Sequence, residues 1–396
     1  MTEETKTPAS QESLAAELVS KGVLTSDWLS AFQACPRDKF LPDGIWPGRA
    51  GMNRQTDRVL RTRDPDLWSQ AVWSDAPITV QWDSGMYDGD RRGRTPTSSS
   101  SMPTMVFSML HDLDVKPGHR VLEIGTGTGW NTALLCHRLG DQNVFTVELD
   151  PELAQGARGR LYKCDFAPYI AIGDGTNGYG KMSPYDRIIA TCSVGEIPSQ
   201  WIGQAKPGAV IVAPWGPGYG GEGIARLTVD ESGIAQGHLT RSSAFMRISR
   251  QRKRFPQIAD RLCGQEWPAD ASMDITELSP DDVGDWIHMF AIGVQVPDLF
   301  CHVEYGEDGW YRLWLGDADG ASWATADYAP AQDRYAVAQC GPRRLWHELE
   351  ASWRWWDEQG RPGFERFGLT TTGGPHFTVW LDSPDSPVPR RGKNEA

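Results

Sequence analysis

Three carboxylates and a run of hydroxyls are the residues in this chain best placed to do chemistry. Glu123 sits just inside an apolar run, residues 121–124, that breaks into Gly125-x-Gly127-x-Gly129. Glu148 ends a second apolar run, and Asp174 follows a third. Upstream lie Ser98, Ser99, Ser100 and Ser101. A carboxylate at a strand end suits an ammonium group, a ribose diol or an adenine amine. Glycine lets backbone approach a ligand closely, and the following helix aims free N–H groups into the same space.

The elements that would position these groups follow from periodicity. The runs at 121–124, 143–149, 169–172, 186–192 and 209–214 read as buried strands. Helical spacing occupies 102–113, 131–139, 151–161 and 198–205. Strands alternating with helices predict a parallel, doubly wound α/β sheet of Rossmann type. Its carboxyl edge would carry Glu123, Gly125, Thr126, Gly127, Gly129, Glu148, Leu149, Asp174 and Gly175.

The glycine spacing is not the dinucleotide Gly-x-Gly-x-x-Gly, and no Walker Gly-Lys-Ser/Thr occurs. A ligand with an amino-acid head, a ribose and an adenine but no phosphate is S-adenosylmethionine, which leaves as S-adenosylhomocysteine. Three acids at successive strand ends suit its ammonium, sugar and base, and none would face a pyrophosphate.

The motif Val121-Leu-Glu-Ile-Gly-Thr-Gly-Thr-Gly-Trp-Asn-Thr-Ala-Leu-Leu135 resembles the cofactor motif of protein-L-isoaspartate (D-aspartate) O-methyltransferases. So do Val147-Glu-Leu-Asp150, Gly173-Asp-Gly175, Pro184-Tyr-Asp-Arg-Ile-Ile-Ala-Thr191, Glu196-Ile-Pro198 and Ala205-Lys-Pro-Gly208. Upstream, Ala31-Phe-x-x-Cys-Pro-Arg-x-x-Phe-Leu-Pro42 and Trp73-Ser-Asp-Ala-Pro-Ile78 are similar to the family's amino-terminal segment. The resemblance covers about residues 20–250. It implies a carboxyl O-methyltransferase whose substrate is a peptide or protein bearing an Asp or isoaspartyl carboxylate.

Residues 85–101 are rich in Gly, Asp, Arg and Ser, and composition alone reads them as a linker. The resemblance reverses that reading. Ser101-Met102-Pro103 falls on the family's Ser-x-Pro, which makes Ser101 the expected catalytic hydroxyl. Ser98, Ser99 and Ser100 are then expected beside the cofactor.

The acceptor would be the substrate's own carboxylate, ionised at neutral pH with a reference pKa near ~3.9, so no general base is needed. Catalysis is then mostly proximity and orientation. The methyl ester would lose methanol to a neighbouring backbone nitrogen, leaving a succinimide (aspartimide) that could hydrolyse to isoaspartate.

The chain continues beyond this core, and its whole arrangement resembles longer actinobacterial relatives found beside ribosomal-peptide pathways (lanthipeptides, lasso peptides, graspetides). Residues Arg366-Phe-Gly-Leu-Thr370 and Val379-Trp-Leu-Asp-Ser-Pro384 are also like theirs. That resemblance implies methylation of one aspartate in a modified peptide. General isoaspartyl repair is the alternative.

Three blocks are expected: an amino-terminal helical and loop segment at 1–96, the methyltransferase core at 97–254 and an α+β accessory domain for substrate recognition at 255–396. Residues 1–12 read as disordered, the last fifteen as a tail and the basic run at 250–254 as a connector.

Composition excludes other classes. The chain has 396 residues with 39 Lys and Arg against 52 Asp and Glu, a net charge of −13. That charge repels a phosphate backbone. With no Asn/Asp-Pro-Pro-aromatic motif, a nucleic-acid methyltransferase is disfavoured. Intact Glu123, Glu148, Asp174 and Ser101 disfavour an idle cofactor-binding module. No apolar run approaches the roughly 20 residues of a membrane helix. The amino terminus is polar and acidic, and the seven cysteines are scattered without a Cys-x-x-Cys pair. These features predict reduced thiols in a cytoplasm and no metal site. The eighteen tryptophans are expected in the core.

Overall fold

A computed structural model describes residues 9–48, 57–253, 267–268 and 270–392. By contact it divides into two compact units that interleave in sequence. One is Met1–Cys192, Pro198–Ala213 and Arg226–Ala235; the other is Ser193–Ile197, Pro214–Ala225 and Gln236–Ala396. The expected block boundary near 97 falls inside the first unit and that near 254 inside the second.

The first unit opens with helices α1 (Gln11–Ser20) and α2 (Ser26–Ala34). Ser10 caps α1 in a capping box, so residues 11 and 12 are helical rather than disordered. Gly22, at φ 70°, lies in the turn that separates them. Next come β1 (Gly44–Pro47), β2 (Val59–Leu60), α3 (Pro65–Val72), β3 (Ile78–Trp82) and β4 (Pro96–Ser100). The strands form an antiparallel sheet of order β2-β1-β3-β4.

The serine stretch is therefore a strand and not a flexible linker. Ser100 pairs with Ile78, Ser99 with Thr79 and Ser98 with Gln81. A run of identical residues has no hydrophobic alternation, so its sequence hides the strand that β3 templates.

The core follows: α4 (Pro103–Leu113), β5 (Val121–Ile124), α5 (Trp130–Leu139), β6 (Val144–Glu148), α6 (Pro151–Tyr162), β7 (Tyr169–Ile172), β8 (Tyr185–Ala190), α7 (Ser199–Gly203) and β9 (Ala205–Trp215). Parallel pairing gives the order β9-β8-β5-β6-β7. This is the doubly wound sheet predicted. β5 is buried along its whole length, as a strand covered on both faces must be. The chain leaves β5 toward β6 on one side and returns through β8 on the other. The crevice at that switch point is where such sheets bind ligands.

The second unit contains an antiparallel sheet of order β12-β16-β15-β14-β13. Two strands precede it, β10 (Glu222–Val229) and β11 (Ala235–Ser243). Its own strands and partners are β12 (Ser272–Thr276), α8 (Trp286–Gln295), β13 (Leu299–Tyr305), β14 (Tyr311–Asp317), β15 (Trp323–Tyr328), β16 (Tyr335–Cys340) and α9 (Leu345–Glu358). Ile292, Leu313, Leu315, Ala324, Val337, Trp346 and Leu349 pack into one apolar cluster between sheet and helices. Arg343 pins the start of α9 by pairing with Asp298 and Glu348 at 2.6 and 2.5 Å. The glycines of the 216–223 loop allow close packing: a Cβ on Gly221 would collide with the Trp286 carbonyl at the start of α8.

A last hairpin joins β17 (Phe367–Gly373) and β18 (His376–Leu381). The expected carboxyl-terminal tail is folded as far as it is described. Val388 N–H donates to Val379 O, Leu381 N–H to Ser386 O and Arg391 N–H to Gln295 O. These bonds use backbone atoms, which leave no mark in a Pro- and Ser-rich composition.

Twelve of the eighteen tryptophans are buried, as expected of core residues. Among the described residues no helix is long and apolar enough to cross a membrane. Leu349 is fully buried in the cluster under α9. Leu349→Ala should destabilise the chain by about 2–4 kcal/mol, seen as a lower urea midpoint in tryptophan fluorescence. An unchanged midpoint would show that this cluster is not tightly packed.

Candidate functional site

The glycine turn owes its shape to backbone angles that side chains resist. Gly125, Gly127 and Gly129 stand at φ 93°, 53° and 89°. They carry the chain from the end of β5 into α5 with Gly129 as the N-cap residue. Space is short as well: a Cβ on Gly125 would lie 2.8 Å from Thr191 Oγ1. The turn is tied on both sides. Thr191 Oγ1 donates to Gly125 O at 2.6 Å, and the Thr126 and Thr146 hydroxyls share a 2.7 Å hydrogen bond.

The serine strand runs along this turn. A Cβ on Gly127 would come within 3.6 Å of Ser98 Oγ and 3.7 Å of Ser99 O. Thus β4 forms a wall against the glycine turn, and the structure brings together residues that the sequence separates. Gln81 of β3 braces the wall by donating to Asp150 Oδ2 at 2.8 Å, and it accepts from Thr97 Oγ1 at 2.8 Å. The Ser100 hydroxyl does not face the turn. It accepts from Arg37 Nε at 3.2 Å.

Ser101 follows directly. Its carbonyl accepts from Arg37 Nη2 at 2.9 Å. Its hydroxyl has no hydrogen-bond partner among the described residues, which leaves it open to a substrate. Pro103 then starts α4, whose first turn is held by Asp75 through Thr104 N at 2.8 Å and Thr104 Oγ1 at 2.5 Å. Lys21 Nζ lies 2.6 Å from the same carboxylate. Despite burial, these hydrogen bonds hold the Asp75 pKa below the ordinary range.

The acids occupy three different situations. Glu123 is fully buried. Its carboxylate accepts from Asn131 Nδ2 at 2.7 Å and Thr132 Oγ1 at 2.5 Å, so it fastens the start of α5 to the end of β5. Burial raises its pKa to about 6, against the opposing pull of these hydrogen bonds.

Glu148 is 8 % exposed and accepts from Gly127 N at 2.8 Å and Asp150 N at 3.1 Å. Burial raises its pKa as well. Asp174 accepts from Thr176 N at 2.9 Å and Thr176 Oγ1 at 2.8 Å, which caps the short turn Gly175–Asn177. Gly175 is buried, and its carbonyl accepts from Trp201 Nε1 at 2.8 Å.

Beside these acids are two apolar side chains that the fold leaves uncovered. Leu149 is 51 % exposed and Ile172 is 55 % exposed, at the ends of adjacent strands β6 and β7. Such side chains flanking Asp174 and Glu148 suit a flat aromatic base with a sugar attached. The donor set suits S-adenosylmethionine: the Glu148 carboxylate can accept from sugar hydroxyls, Gly127 holds a positive φ that side chains resist, and an adenine could cover Leu149 and Ile172.

Sequence reasoning gave no role to Arg37, Trp130, Asp75 or Gln81. Cys35-Pro-Arg37 and Trp73-Ser-Asp75 lie inside the motifs quoted above, so a signal existed. Their partners are mostly backbone atoms, which a sequence does not display.

Comparison with known proteins agrees with this geometry. The family model described as protein-L-isoaspartate (D-aspartate) O-methyltransferase matches residues 55–252. The chain is similar to the protein-L-isoaspartate O-methyltransferase of Methanopyrus kandleri, 33% identical over 52% of this chain and 76% of that relative. It is also similar to that of Methylorubrum extorquens, 32% identical over 54% of this chain and 75% of the relative. A solved structure titled protein-L-isoaspartate O-methyltransferase shares the fold, with a TM-score of 0.51 at 19% identity, covering 94% of this chain and 100% of the other.

Two measurements probe the acids. Because burial raises the folded pKa of Glu123 from 4.5 to about 6, its favourable contribution is complete below pH 4.5 and is lost as pH rises through 6. The stability of Glu123→Gln relative to the unsubstituted protein should therefore improve by about 2 kcal/mol between pH 4.5 and pH 7.5. A difference independent of pH would mean that folding does not raise the Glu123 pKa. Glu148→Gln should weaken S-adenosylhomocysteine binding by about 10- to 100-fold in calorimetry, and undiminished affinity would remove Glu148 from the cofactor site.

Proposed function

Because the chain belongs to the protein-L-isoaspartate (D-aspartate) O-methyltransferase family, and so to the S-adenosylmethionine-dependent carboxyl O-methyltransferases, we propose that its acceptor is the free carboxylate of an isoaspartyl residue in a peptide or protein and that Ser101 orients it. The observation that carries the second part is the unpartnered Ser101 hydroxyl, on a segment pinned from both sides at the end of β4.

When bound, S-adenosylmethionine supplies a methyl group on a cationic sulfur. The protein's task is to bring the acceptor to it. The acceptor carboxylate, with a reference pKa of about 3.3–3.9, is ionised at neutral pH and needs no base. Ser101 Oγ–H would donate to one carboxylate oxygen and leave the other free to take the methyl, the methyl–sulfur bond breaking with its electron pair left on the departing thioether. A neutral hydroxyl orients the anion without a full counter-charge that would quench it as a nucleophile.

Glu148 would accept hydrogen bonds from the ribose hydroxyls, Leu149 and Ile172 would cover the adenine, and Asp174 would accept from its amine. Glu123 acts on the site by holding the glycine turn. Ser98 and Ser99 line the opposite wall, and Ser100 serves through Arg37. No step is assigned to a general acid or base.

A finer reading is that the acceptor is one aspartate in a ribosomally made, modified peptide, the ester closing to aspartimide. Two features favour it: the likeness of the 366–370 and 379–384 segments to longer actinobacterial relatives, and a folded second unit extending beyond residue 252, where the family match ends. Against it, the solved structure of an isoaspartyl methyltransferase aligns with 94% of this chain, so the extra length alone is no mark of peptide tailoring. The general isoaspartyl acceptor is the better supported of the two.

The purified protein with S-adenosylmethionine should add one methyl to a short synthetic isoaspartyl peptide and none to its aspartyl twin, read by mass spectrometry. Methylation of the aspartate in a modified ribosomal peptide, with the free isoaspartyl peptide untouched, would select the finer reading instead. Ser101→Ala should lower turnover on the accepted peptide by about 100-fold while S-adenosylhomocysteine still binds. Unchanged turnover would sink the assignment of Ser101.

A further inference from the structure

Arg37 opens the short turn Arg37–Phe40 and is fully buried. Among the described residues it contacts no carboxylate. Nε donates to Ser100 Oγ at 3.2 Å. Nη1 donates to Val72 O at 3.2 Å and Ser74 O at 3.1 Å. Nη2 donates to Ala76 O at 3.0 Å, Ser100 O at 3.1 Å and Ser101 O at 2.9 Å. The guanidinium carbon stands 5.4 Å from the ring of Trp130, the first residue of α5 after the glycine turn.

A buried cation with no carboxylate in direct contact, only the field of nearby Asp75, is an unfavourable choice where the aim is only to satisfy carbonyls. Burial pulls its pKa down to about 9, which still leaves it charged at neutral pH. What a guanidinium offers that small neutral donors cannot is a rigid planar fork reaching acceptors on two chain segments at once.

One of those segments is 72–76; the other is the end of β4. The 72–76 segment also carries Asp75, which grips Thr104 on the far side of Ser101. Residues 101–104 are thus suspended between two anchors, and both anchors refer back to Arg37. We infer that Arg37 is a positioning residue for methyl transfer, fixing the Ser101 hydroxyl by holding the Ser100 and Ser101 carbonyls against the 72–76 segment. This rests on the reading of Ser101 as the orienting hydroxyl.

The test is a double-mutant cycle on the full chain with an isoaspartyl peptide. Arg37→Lys keeps the charge and loses the fork. It should lower kcat by about 10- to 100-fold, the loss expected of a misplaced orienting group. Peptide KM and S-adenosylhomocysteine Kd should stay within about threefold, since neither depends on the fork.

In the Ser101→Ala background the same substitution should lower kcat by no more than about twofold, because the hydroxyl it positions is gone. An equal fall in both backgrounds, or no fall in either, overturns the inference. The first of these outcomes leaves Ser101's own effect standing. Full turnover by Ser101→Ala alone overturns the reading of Ser101, and the inference with it. If Arg37→Lys does not fold, Ser100→Ala decides. It removes a single contact to the fork and should lower kcat several-fold with cofactor affinity kept; an unchanged kcat overturns the inference.

Discussion

The site depends on three alternate glycines that hold positive φ between β5 and α5. That geometry drops the chain below the strand end, keeps side chains out of the space and starts a helix at its rim. Other residues at the site answer to it. Glu123 is buried because α5 begins directly above its strand and presents Asn131 and Thr132 to its carboxylate. Thr191 stands where a Cβ at Gly125 would be. Trp130 closes the rim by donating its indole N–H to Cys35 O at 2.9 Å, which ties the amino-terminal segment to the turn. A substituent at any of the three glycines would disturb the strand end, the helix start or the serine wall.

Much of this was legible in the sequence, and the reason is physical. Buried parallel strands are mostly apolar, so β5, β6 and the second half of β8 announce themselves as short apolar runs. Edge strand β7 also does so although its ends are exposed, and the acids stand out at the carboxyl ends. Turns that need positive φ select glycine. Antiparallel β4 did not show, because four serines carry no period. Its strand character comes from pairing with Ile78, Thr79 and Gln81, which is a property of the fold. The segment after β18 was hidden for a similar reason, since backbone hydrogen bonds hold it there. Arg37 was hidden most completely. Its acceptors are five carbonyls and one hydroxyl, and no pattern of side chains reports a carbonyl.

The acids also depart from the simplest expectation. A sequence places Glu123, Glu148 and Asp174 at one sheet edge as three equivalent ligands. The structure makes them unequal. Glu123 has no exposed surface, and its hydrogen bonds are spent on the turn. Glu148 keeps a sliver of exposure, and one of its partners is the amide of Gly127, the glycine nearest the serine wall. Asp174 caps a single turn. Only the latter two have partners that a ligand hydroxyl or amine could replace or share.

This inequality gives the site an electrostatic character that the net charge of −13 does not convey. Burial raises the pKa of both Glu123 and Glu148, so in the free protein each carboxylate would be more stable with a nearby positive charge. A ligand bearing a sulfonium and an ammonium supplies that charge, whereas a nucleotide phosphate would add to the burden. Binding a cation here must therefore lower both pKa values, because two equilibria on one site are linked in both directions. The same carboxylates that oppose folding when empty of a counter-charge favour the ligand when it arrives. Burial of the two acids thus disfavours a phosphate at this sheet edge, apart from any contact they make.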